Sequence, residues 1–208
     1  MKPTDKLMKR LSLYLFLILF TLQIPSQADD IRDLQIEGMS IGDSLLDYLN
    51  EEEIKEKLNS NLTYYYKNKK FAKIGLKKDS YEIYDELGIT IKPDEKVFKI
   101  YALAGEIYFY NNNVKECYPQ QNKIVDQLKD FLGDNISVDS YEKPYVLDKT
   151  GDSRSKVVDL WLTEKTNVRV ICYALSKKLK EDNYWEDSLH VIINGEEFVE
   201  FLQSEAYE

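Results

Sequence analysis

The chain has 208 residues, with 28 Lys and Arg against 37 Asp and Glu, a single His and two Cys. A net charge of −9 excludes nucleic-acid binding, because polyanions and anionic lipid surfaces repel an acidic chain that carries no basic block of more than a few residues. One histidine excludes a multi-histidine zinc site, and no H-E-x-x-H, Walker A or G-x-G-x-x-G can be written.

The first element reads as a leader. Lys2, Lys6, Lys9 and Arg10 precede an apolar run from Leu11 to Leu22, and Ser26 and Ala28 supply small residues for cleavage. That run is shorter than the roughly 20 residues needed to span a bilayer. Residues 1–28 are therefore expected to be a signal peptide, and residues 29–208 a single exported domain in the periplasm or beyond, with no stable membrane span. Removing four basic residues and one acid with the leader leaves a net charge of −12. In an oxidising compartment the two cysteines, Cys117 and Cys172, are expected to form one bridge. The C-x-x-C spacing of a redox enzyme is absent.

Ser40-Ile41-Gly42-Asp43 reads as a capping box ahead of an apolar stripe of Leu45, Leu46 and Leu49. Asn50 to Glu53 repeats that logic before Ile54 and Leu58, so two short helices are expected. From Tyr64 the period shifts toward alternation, which predicts strands near Phe71 to Leu76, Tyr84 to Ile91 and Val97 to Tyr110. Their connections are too short for helical crossovers, so the strands are antiparallel. Gly105 inside the longest suggests a bulge or bend.

Asn111-Asn112-Asn113 ends that strand, Pro119 fits the first turn of a helix, and Gly133 closes it. Cys117, Gln121, Ile124, Leu128 and Phe131 recur at helical spacing, which aims the cysteine at the core. Ile136 to Ser155 is polar and reads as a long excursion, or an edge strand plus turn. Val158, Leu160 and Leu162 alternate next. Val168, Val170, Cys172 and Ala174 follow beyond Thr166-Asn167, so a hairpin is expected. Lys177 to Asp187 reads as a charged loop, Leu189 to Ile193 as a last strand, and Phe198 to Leu202 as a last helix. The expected class is α+β: an antiparallel sheet of about five to six strands with helices packed on it, in the order α-α-βββ-α-βββ-α.

Candidate chemistry is sparse. Asp148, Asp152 and Asp159 surround Lys149-Thr150-Gly151, but their spacing fits no EF-hand, and a plain turn is expected. Neither a metal nor a cofactor is expected. Gly42-Asp43-Ser44-Leu45 with Asp187-Ser188-Leu189-His190 resembles two blocks of the GDSL (SGNH) hydrolases. That resemblance implies a serine esterase with Ser44 as nucleophile, His190 as base and Asp187 as its orienting partner. The family's launching strand and G-x-N-D block have no counterpart here, since Gly133-Asp134-Asn135 is a helix stop.

Ile36 to Tyr48, Lys99-Ile100-Tyr101, Glu116-Cys117, Ile171-Cys172-Tyr173 and Glu197-Phe198 together resemble a set of small exported proteins of marine alphaproteobacteria. The likeness implies periplasmic location and one fold unit, and transfers no mechanism. Gly38-Met39-Ser40 followed by helices and strands is similar to small outer-membrane assembly lipoproteins, a likeness that implies protein binding. The expectation is thus a non-catalytic binding or accessory domain, whose partner is another periplasmic or envelope protein. Trp161 and Trp185 are candidate contact rings on a sheet face, and the esterase is the alternative.

Overall fold

A computed structural model describes residues 30–78, 80–110, 114–183 and 185–206. The expected leader and the Asn111-Asn112-Asn113 turn lie outside them. The described part is α+β. Its largest element is one antiparallel sheet of eight strands rather than five or six.

The chain opens on a small hairpin, β1 (Gln35–Ile36) and β2 (Met39–Ser40), turning at Glu37 and Gly38, which both have positive φ. This hairpin replaces the start of the first expected helix. Half of the expected capping box is present, since the Asp43 carboxylate accepts the Ser40 amide at 2.8 Å. Gly42, at φ 95°, then turns the chain away. Only a single 3-10 turn, Leu45–Asp47, follows. The second expected helix does form as α1 (Glu51–Leu58), with Asn50 and Glu53 capping each other reciprocally.

Two meanders make the large sheet. The first contains β3 (Tyr64–Tyr65), β4 (Ala72–Leu76), β5 (Glu86–Ile91) and β6 (Ala102–Phe109). After α2 (Cys117–Leu132), the second contains β7 (Ser137–Pro144), β8 (Arg154–Thr163), β9 (Thr166–Ala174) and β10 (Asp187–Asn194). The order β3-β4-β5-β6-β10-β9-β8-β7 joins the meanders through their last strands. The expected excursion from Ile136 to Ser155 is thus the edge strand β7 and its turn. Part of the expected charged loop is helix α3 (Lys177–Asn183), and α4 (Glu196–Ser204) closes the described chain.

Registers assign every side chain to a face. Ile74, Ile89, Leu103, Ile193 and Val168 share a cross-strand row on the apolar face. The N-terminal segment, through Leu45, Leu49, Ile54 and Leu58, and helix α2 both pack into this core. Cys117, Gln121 and Val125 of α2 are buried, Ile124 and Leu128 are half-buried against the core, and Phe131 is 42% exposed. The stripe therefore ends on Leu132 rather than Phe131. Cys117 is bonded to Cys172 of β9, with Cα atoms 6.0 Å apart across a separation of 55 residues. That bridge fastens α2 to the second meander.

Gly105 also differs from expectation. Pairing runs unbroken through it to both neighbours, so there is no bulge; instead the Tyr84 ring occupies the space of its missing Cβ, 2.4 Å away. Among the described residues no helix is long and apolar enough to cross a membrane.

Candidate functional site: the polar face of the sheet

The other face carries most of the unusual chemistry. Alternation along each strand puts Glu86, Glu106, His190, Ile171, Val157 and Tyr141 in one cross-strand row. Tyr108, Ser188, Tyr173, Ser155 and Lys143 form the row beside it. Helix α4 covers one end of this face, where Phe198 and Phe201 pack with Phe71, Tyr101 and Ala102.

Glu86 and Glu106 stand directly opposite each other, a like-charge pair that costs free energy unless cations intervene. Two cations do. Lys73 Nζ lies 2.7 Å from Glu106 Oε1, and Lys77 Nζ lies 3.0 Å from Glu86 Oε2. Between the carboxylates the Tyr108 hydroxyl shares its proton, at 2.9 Å from Glu86 and 3.1 Å from Glu106. Lys73 reaches Glu106 over Gly88, where a Cβ would fall 2.1 Å from the lysine Cε. A side chain at that position would force the lysine to take another path to Glu106.

Burial opposes the Glu106 charge, but nearby His190 and Lys73, with hydrogen bonds from Lys73 and Tyr108, outweigh it and hold its carboxyl down at about 2. Burial pushes His190 the other way from its usual charge, down to about 4, against the attraction of Glu106. At neutral pH the pair is thus an anion beside a neutral imidazole, so Lys73 is the charge that holds Glu106 there. Burial and the two carboxylates together push the Tyr108 hydroxyl well above its ordinary value. It stays a donor.

Ser188 Oγ lies 3.0 Å from His190 Nε2, a distance suited to a nucleophile and its base. Among the described residues no third group completes a relay. Glu106 Oε2 approaches the same Nε2, at 3.6 Å, so it does not orient the ring from Nδ1. Ser188 is also only 5% exposed, and an imidazole held near 4 is a weak base at neutral pH.

A second charged group sits farther along the face. Arg169 grips Asp159 through two bonds, Nε to Oδ1 at 2.5 Å and Nη2 to Oδ2 at 2.9 Å, and Tyr141 donates to the same carboxylate at 3.1 Å. Near the far end the Tyr173 ring meets His190 at 4.8 Å and Tyr145 at 5.4 Å, and Tyr145 meets Trp185 at 6.4 Å. Trp185 is 39% exposed at the end of this ring wall. Trp161 lies half-buried on the same face, opposite Asn167 and Ser137.

Of the three residues of the esterase alternative, His190 lies on this face and the other two go elsewhere. Ser44 caps the 3-10 turn, accepting the Leu46 amide and donating to the Val97 carbonyl at 2.7 Å. Asp187 accepts the Leu175 amide at 2.8 Å and pairs with Lys180 at 2.7 Å. Because Asp187 and His190 are three apart on β10, their side chains leave opposite faces. These contacts bind each residue to structure and do not join the three into a relay. Asp148 closes a turn by accepting from Thr150 and Ser153, while Asp159 belongs to Arg169. Among the described residues no group of three His, Cys, Asp or Glu could hold a metal.

Sequence reasoning missed Lys73, Glu106, Tyr108 and Arg169, and took Asp159 for part of a turn rather than the partner of Arg169. One signal was present: Glu106 and Arg169 interrupt strands that are otherwise apolar. No family model matches the chain, and comparisons with curated proteins and with solved structures also return no match. Function is therefore argued from this geometry.

Proposed function

We propose that the chain is an exported, non-catalytic binding or accessory domain of the periplasm, and that it recognises another envelope protein through the polar face of its sheet. The observation that carries this reading is the ring wall of Tyr173, Tyr145 and exposed Trp185 beside a charge network whose members already satisfy one another. Large rings give contact area at low entropic cost, and paired charges keep the surface rigid and selective. The Cys117–Cys172 bridge suits an oxidising compartment, and the leader-like N-terminus suits export.

The test is affinity capture of periplasmic proteins on the wild-type domain, on a Tyr145→Ala/Trp185→Ala variant and on Ser44→Ala. One envelope protein held by the wild type and by Ser44→Ala, but lost by the ring variant, is the expected outcome. Equal retention by all three, or hydrolysis of an ester substrate that Ser44→Ala abolishes, would overturn the proposal.

A further inference from the structure

Strand β7 is the long open edge of the sheet. It pairs with β8 along its whole length, no strand lies on its other side among the described residues, and all eight of its residues are exposed. At about 3.4 Å per residue this leaves roughly 27 Å of backbone donors and acceptors facing water. Edges of that kind are usually blunted, and the charges and terminal proline of Ser137–Pro144 do part of that work. Their placement does more than repel.

A two-fold axis perpendicular to the sheet would pair β7 with a second copy of itself, antiparallel, with each residue opposite one on the same face. Such registers are centred on a residue. Centring on Asp139 or Glu142 sets identical acids face to face, and centring on Lys143 does the same for lysines. Centring on Ser140 matches no charges. Centring on Tyr141 puts Asp139 opposite the partner's Lys143 at one end and Lys143 opposite the partner's Asp139 at the other. It also places Ser140 opposite Glu142 and the two Tyr141 rings side by side.

We propose that this strand is a homodimer interface, in which two copies add edge to edge through β7 in the Tyr141-centred register and form one continuous sheet. Surroundings on the polar face favour it. Asp139 stands opposite Asp159, whose charge Arg169 already takes, and no ion pair holds Asp139 or Lys143 among the described residues. Lys143 lies over the Tyr141 ring at 5.7 Å, and partial burial first, then the nearby Arg169 charge, lower its pKa against the weaker attraction of Asp159. A carboxylate from a second copy relieves that repulsion. The backbone ladder supplies the attraction, and the two Asp–Lys pairs select the register. The dimer would also place two polar faces side by side on one surface.

The experiment is sedimentation velocity on the processed protein purified from the periplasm, as wild type, Asp139→Lys, Lys143→Asp and the double exchange. Each single change sets two like-charge pairs opposite one another and is expected to weaken the dimer by about tenfold or more, whereas the double exchange restores the wild-type value. Circular dichroism and an intact disulfide confirm folding of each variant. A wild type that stays monomeric at its highest soluble concentration, or a dimer that the single changes leave intact, overturns the proposal.

Discussion

Glu106 keeps a charge that burial alone would remove, because Lys73 crosses the floor left by Gly88 to meet it at 2.7 Å. Lys73→Ala leaves that carboxylate beside Glu86 without its nearest cation. Since the lysine side chain is about one-third exposed, the expected loss is about 2 kcal/mol rather than the larger figure for a fully buried pair, measurable by denaturant unfolding. Acid should act on the same cluster. His190 is at about 4 in the fold against 6.5 ordinarily, and Glu106 at about 2 against 4.5. Both values are depressed, so the unfolded chain takes up the protons first. Stability is full above about pH 6.5, falls toward pH 4 as unfolded His190 charges, and falls again between 4.5 and 2 as Glu106 titrates. His190→Gln should flatten the upper part of that decline in unfolding curves taken at successive pH values. An undiminished slope would place the titrating group elsewhere. An acid inside an apolar strand was visible in the sequence as an oddity, but its partner was not. Lys73 is 33 residues away, and only the register across β4, β5 and β6 brings it over Gly88.

Local rules accounted for several elements. Asn50 and Glu53 announced α1, Pro119 and Gly133 bracketed α2, and alternation placed Cys172 with Val168 and Val170 on the face that α2 covers. The disulfide itself was expected from two cysteines in an oxidising compartment, and the structure forms it. Replacing both cysteines by serine should cost about 4 kcal/mol by the loop-entropy argument, with reductant having no further effect on the variant. Other elements were hidden because their causes are steric. Leu45, Leu46 and Leu49 have helical spacing, yet the positive φ of Gly42 and the pairing of β2 with β1 leave room for only one 3-10 turn. Gly105 looked like a bend and is a seat for a ring. Gly105→Ala should therefore destabilise by about 2–3 kcal/mol, because the Tyr84 ring packed there must move, and thermal unfolding would register the loss. A variant as stable as the wild type would mean that the ring shifts freely.

At the scale of the molecule, the α+β class and the antiparallel pairing were legible, whereas strand number and order were not. The contact that makes one sheet of two meanders joins β6 to β10 across some eighty residues, and nothing in either strand's own alternation names the other as its neighbour. The same pairing creates the polar face by laying Glu106 against His190 and carrying the row on to Tyr141. Recognition through that face is the central claim. Its most direct test is a photo-crosslinking residue placed at Trp185, with Glu56 on the exposed side of α1 as the control position, in cells exporting the protein. A discrete adduct to an envelope protein from position 185 and none from position 56 is the predicted result. Adducts from position 56 alone, or the same adduct from both positions, would contradict it.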